Sequence, residues 1–88
     1  MNIVRSLFHL VLTGHYQITD HAIESLDEDG LSMRDIVCCL ATGVLRRKWP
    51  RQRKYEVDGR GIDGRPIRVV LRLLTTSLAR IITVYEIR

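Results

Sequence analysis

The hydrophobic period of this chain changes once, at Gly43, and that change limits what its 88 residues can build. Before Gly43 the apolar residues recur at three- and four-residue intervals; after it they alternate. Ile3, Val4, Leu7, Phe8, Val11 and Leu12 form one helical face, with Gly14 placed to stop it. Tyr16-Gln17-Ile18 reads as a short extended link or an edge strand. Thr19 or Asp20 caps a second helix that runs to about Asp29, with Gly30 as its stop. Ser32 caps a third, with Asp35 at the reciprocal capping-box position and Ile36, Val37, Leu40 and Ala41 as its apolar face, ended by Gly43.

Beyond Gly43, Val44 to Arg47 opens a strand that Trp49-Pro50 breaks, because proline cannot donate to a ladder. Lys54 to Asp58 alternates with Tyr55 and Val57 inward, and Asp63-Gly64 signals a hairpin turn. Ile67 to Leu74 is the next strand, with Ile67, Val69, Leu71 and Leu73 on one face and Arg68, Val70 and Arg72 on the other. Arg80 to Ile87 is the last, β-branched strand. Helices followed by strands give an α+β class: two or three N-terminal helices packed on a three- or four-stranded antiparallel sheet. The expected organisation is one domain over residues 1–88, helical over about 2–43 and sheet over about 44–88.

At 45% apolar and 27% charged residues, the composition is that of a globular chain and excludes a disordered one. No apolar run approaches the ~18–20 residues of a membrane span, and no small-residue cleavage site follows the N-terminal stretch. Cys38 and Cys39 are adjacent and cannot make a disulfide framework, which fits a reducing, cytoplasmic setting.

Charge separates along the chain. Met1 to Val44 carries two basic residues against six acidic, and Leu45 to Arg88 carries twelve against four. A strongly basic second half points to a polyanionic partner, most simply nucleic acid. Its densest stretch is Arg46-Arg47-Lys48-Trp49-Pro50-Arg51-Gln52-Arg53-Lys54, in which six of nine residues are cationic. Cations bind phosphates and an indole stacks on an unpaired base, so this stretch suits single-stranded RNA. The alternative is a solvated loop whose charges block edge pairing, with Trp49 tucked into the core.

The basic bias continues through Arg60, Arg65, Arg68, Arg72 and Arg80. Arg68 and Arg72 share a strand face about 13 Å apart at ~3.3 Å per residue, with Lys54 or Glu56 facing them from the neighbouring strand. Such a face suits a phosphate with developing negative charge, or is simply the exposed side of a half-buried sheet. Among three histidines, His21 in the first turn of the second helix is the candidate for proton transfer; its other reading is a helix-to-sheet hydrogen bond. His9 reads as a packed or rim residue and His15 as exposed. No second ligand pair accompanies the cysteines, so zinc is not expected, nor is any metal or cofactor. Gly59, Gly61 and Gly64 are spread over a hairpin and do not form a phosphate loop.

Several segments together resemble a bacterial family, the domain-of-unknown-function family numbered 4258. They are Ile18-Thr19-Asp20-His21-Ala22, the acidic helix ending at Gly30, the Ser-capped helix, Lys54-Tyr55, Gly64-Arg65-Pro66 before a Val-rich strand, and Ile82-Thr83-Val84-Tyr85-Glu86. The similarity spans Tyr16 to Glu86, and His21, Tyr55, Arg65, Thr83 and Tyr85 fall on its motif positions. Asp29 and Arg68 depart from it, standing where relatives tend to carry Arg and His.

The family is regarded as related to the RelE and ParE-like toxins and is commonly paired with an MqsA-type zinc-finger antitoxin. The resemblance therefore implies a RelE-like fold and a toxin that cleaves mRNA, ribosome-bound or free. Cleavage would proceed by metal-free attack of a ribose 2′-hydroxyl. In that reading Lys54, Arg68 and Arg72 hold the phosphate, His21 or Tyr85 moves the proton, and the Arg46–Lys54 stretch with Arg65 docks RNA. The alternatives are a non-catalytic module that binds nucleic acid or protein through the same surface, and a ParE-like toxin directed at gyrase.

Overall fold

In a computed structural model that describes residues 2–88, the helical half forms three ten-residue helices: α1 (Ile3–Leu12), α2 (Asp20–Asp29) and α3 (Met33–Thr42). Each start is fixed by a side chain that satisfies an orphan backbone donor. The Asn2 side chain accepts from the Arg5 N–H, and Thr19 Oγ1 accepts from the Ala22 N–H at 3.1 Å while donating to the Ile82 carbonyl at 2.9 Å. The cap of α2 is thus Thr19, which also ties that helix to the last strand.

At α3 the Ser32 N–H donates to Asp35 Oδ2 at 2.9 Å, and Asp35 Oδ1 accepts from the Ile62 N–H at 2.9 Å. One buried carboxylate therefore holds both a helix start and a strand loop. Burial pushes its pKa up, but donation from Ile62 and Ser32, with Arg65 nearby, outweighs that and sets it below the ordinary 3.8. A depressed carboxylate stabilises the fold fully above its unfolded value and loses that contribution as pH falls through the folded one. Asp35→Ala should cost about 2–3 kcal/mol near neutral pH, a cap plus a stranded donor. Measured by chemical denaturation, the gap from wild type should narrow below about pH 3.8; a gap that does not change with pH would contradict this role.

The strands are β1 (Tyr16–Ile18), β2 (Val44–Trp49), β3 (Lys54–Arg60), β4 (Pro66–Thr75) and β5 (Leu78–Glu86). They form one sheet in the order β1-β5-β4-β3-β2. The α+β class and the helices over strands are as expected; the sheet differs in two respects. It has five strands, and it is mixed, because β1 pairs parallel with β5 while all other neighbours are antiparallel. Three residues are too few for alternation to show in the sequence, and β1 takes its place from pairing with a partner more than sixty residues away. Pro50 does not interrupt β2 either. It follows the strand and begins a single 3-10 turn, Pro50–Gln52, where its missing N–H costs nothing.

All three helices cover one face of the sheet. Val4, Leu7, Val11, Ala22, Leu26, Ile36, Cys39 and Leu40 from the helices join Val57, Ile67, Val69, Leu71, Ala79, Ile81 and Val84 from the strands in one buried cluster. Ile81 and Val84 are both inward although three residues apart, because β5 bulges between its pairings to Leu71 and Val70. Gly43 ends α3 as expected, but with extended backbone, so its role is space: a Cβ there would lie 2.6 Å from the Cys39 carbonyl oxygen. A Cβ at Gly59 would overlap that same oxygen, so α3 lies directly on β3. Cys39 is sealed beneath, its thiol donating to the Ile67 carbonyl and pushed up to about 12 by burial, which makes it inert. No helix among the described residues is long and apolar enough to cross a membrane.

Candidate nucleic-acid interface

The face of the sheet turned away from the helices is open, and strand register arranges its side chains in rows that run across the strands. Tyr85, Arg68 and Asp58 lie opposite one another in the first row. Thr83, Val70, Glu56 and Arg47 form the second. Gln17, Arg80, Arg72, Lys54 and Trp49 form the third, which spans all five strands.

The first two rows are electrically closed except at Arg47, which has no ion-pair partner among the described residues. Arg68 Nε and Nη2 donate to the two oxygens of Asp58 at 2.7 and 3.0 Å, and Nη1 donates to the Tyr85 hydroxyl at 3.1 Å. Those hydrogen bonds, to Asp58 first and then Tyr85, hold the Arg68 guanidinium above the usual arginine range. Arg46, brought onto this face by a bulge in β2, donates to Glu56 at 3.1 Å and lies 3.5 Å from Asp58. Two guanidiniums thus match two carboxylates, one of which, Glu56, is only 9% exposed.

The third row contains no carboxylate. Lys54 and Arg72 face each other directly, as do Arg72 and Arg80, so three cations sit on adjacent strands about 4.8 Å apart. Like charges placed opposite one another repel. Arg80 donates to the Gln17 side-chain oxygen at 3.0 Å. Among the described residues Lys54 and Arg72 have no ion-pair partner, and the buried Arg72 Nε has no hydrogen-bond partner. Trp49 ends the row, half-buried, with Lys54 Nζ 4.7 Å and Arg47 Cζ 5.7 Å from its ring centre. An indole flanked by two cations has the make-up of a surface that can take a base on its face and a phosphate on the cations beside it.

The residues expected to act together are therefore dispersed. Lys54, Arg72, Arg47 and Trp49 share the open face with Arg68 and Tyr85, but Arg68 and Tyr85 belong to the neutral end, about 13 Å along the strand from Arg72. The basic stretch is a hairpin end more than a loop: Arg46 and Arg47 lie in β2, Arg51 is in the 3-10 turn and Arg53 just after it, and Lys48 sits opposite Tyr55, off the open face. Arg65 lies at the far end of β3 and β4 and works as a clasp. It pairs with Asp63 and Glu86 and donates to the Asp29 and Gly30 carbonyls at the end of α2. Asp29 completes that clasp by accepting from the Glu86 N–H at 2.9 Å. His21 is exposed in the first turn of α2, on the helical side of the sheet.

Arg80 is the residue that sequence reasoning left out of the site. It stood out only as one more basic residue; the bulge in β5 puts Arg80 on the same face as Tyr85 although they are five residues apart, which strict alternation does not give.

With this geometry in view, comparison with known proteins gives a family and no function. The model of the family described as "Domain of unknown function (DUF4258)" matches residues 18–86. The chain belongs to that family. No curated protein and no solved structure matches it.

Proposed function

We propose that this chain binds single-stranded RNA on the open face of its sheet, as the RNA-contacting member of a toxin–antitoxin pair. The observation that carries the reading is the third row. Three cations on adjacent strands, with an orphaned Arg72 Nε among them and no acid to balance them, form an arrangement that an anion relieves. An indole at the end of the row adds a surface for a base, which favours a nucleic acid over a free anion. The toxin assignment rests on the family resemblance, as do the RelE-type relationship, the zinc-finger antitoxin and a cytoplasmic setting. An acidic antitoxin segment would neutralise the same cations.

Cleavage of mRNA is the second reading. Lys54, Arg72 and Arg80 would stabilise the charge that develops when a 2′-hydroxyl attacks the phosphate they hold. Tyr85 and His21, the two expected proton-transfer groups, lie outside that row, and this places binding ahead of cleavage.

Inducible expression in a bacterial host, with growth and RNA 5′ ends followed beside an Arg72→Gln/Arg80→Gln variant, separates the readings. Growth arrest with new RNA ends, both absent from the variant, is the result expected of a ribonuclease. Arrest with intact RNA that still depends on the two arginines is the result expected of a binding toxin. DNA-damage signalling that does not depend on them indicates the gyrase-directed action. Full effect in the variant, with RNA cut as before, overturns the assignment of the row.

A further inference from the structure

The open face carries six cationic residues, Arg46, Arg47, Lys54, Arg68, Arg72 and Arg80, but the structure does not offer them equally. Arg46 and Arg68 are held by Glu56 and Asp58, and the bonds of Arg68 to Asp58 use both its Nε and its Nη2. A phosphate reaching Arg68 would have to displace a carboxylate and then lie beside it, so attraction to the guanidinium is met by repulsion from Asp58 and Glu56. No such obstacle stands in the third row.

We propose that the RNA strand crosses the sheet at right angles to the β-strands, along Trp49 with its neighbour Arg47, Lys54, Arg72 and Arg80, and that Glu56 and Asp58 set its path by excluding phosphate from Arg46 and Arg68. The acids are then specificity-determining residues, which confine the ligand to a track about 14 Å long at ~4.8 Å per strand and leave Tyr85 beside it, uncontacted by phosphate. This inference rests on the RNA-binding reading above, and its test distinguishes the two.

The probe is a short 2′-O-methyl oligonucleotide, which cannot undergo 2′-hydroxyl attack and so reports binding alone. For single strands the logarithm of affinity falls with the logarithm of salt by ~0.7 per phosphate contact. Contacts by the three cations of the row and by Arg47 predict a slope near −3 for the wild type; contacts by all six predict a slope near −4. The charge-neutral double variant Asp58→Asn/Arg68→Gln removes one ion pair without changing net charge, and its affinity and slope should stay within about twofold of wild type. Asp58→Asn alone releases Arg68 to the ligand, while Arg46 keeps its bond to Glu56, and should tighten binding and steepen the slope by ~0.7.

A wild-type slope near −4, or a tenfold loss in a folded Asp58→Asn/Arg68→Gln protein, overturns the track and leaves the RNA reading in place. Absence of binding at low salt removes both. If the double variant fails to fold, the wild-type slope still decides.

Discussion

Arg72→Gln/Arg80→Gln should lose RNA binding and gain stability. Each hydrogen bond to a charged group contributes about 1.5 kcal/mol or more, so removing two weakens binding by about 3 kcal/mol, on the order of 100-fold in Kd. The folded protein responds in the other direction. The change abolishes two like-charge oppositions across strands and replaces the side chain whose Nε is buried without a partner. Each relieved opposition is worth about 0.2–1 kcal/mol, so the thermal midpoint at low salt should rise by a few degrees, at roughly 4–8 °C per kcal/mol in a domain of this size. Residues kept for structure would behave otherwise, with stability and binding falling together. Calorimetry and fluorescence anisotropy on the same samples decide it; a lower midpoint would contradict the reading of the row as a strained anion site. Arg68→Ala is a poorer probe, because it strands Asp58 and so lowers stability whatever Arg68 does for RNA.

The second large effect is expected far from that face. Gly59→Ala places a methyl group on the Cys39 carbonyl oxygen, and since both partners are backbone, α3 must move off β3. Overpacking of this kind costs about 3 kcal/mol, which in a chain this small lowers the thermal midpoint by roughly 15 °C. Gly64→Ala is the control. Its φ of +87° makes alanine strained there, but nothing lies within 4 Å of the added carbon, so the cost should stay near 1 kcal/mol. Equal midpoints for the two variants would contradict the seating of α3 on β3.

How far the sequence reveals this structure follows from the range of the forces involved. Helix starts and stops are local, and the Thr19, Ser32–Asp35 and Gly30 signals all fall where the helices begin or end. The inward residues of β3 and β4 alternate, and Val57, Ile67, Val69 and Leu71 are buried as their pattern implies. Register is not local. The bulges near Arg46 and Ile82 change which side chains share a face, and they brought Arg80 into the cationic row and Arg46 into the neutral network without a mark in the sequence. Charge patterning showed that the second half is basic; it could not show that Asp58 and Glu56 neutralise one end of the face and leave the other unbalanced. Arg65 illustrates the same limit, since it clasps α2 to the strands at the end of the sheet away from the row.

RNA should meet this protein on the third row of the open face, and amide chemical shifts give the most direct test. Titration of a short single-stranded 2′-O-methyl RNA into labelled protein should move the signals of Trp49, Lys54, Arg72 and Arg80 together, with His21 and Arg65 unmoved. Shifts confined to the helical side, around the apolar groove lined by Leu12, Met33 and Val37, would contradict it.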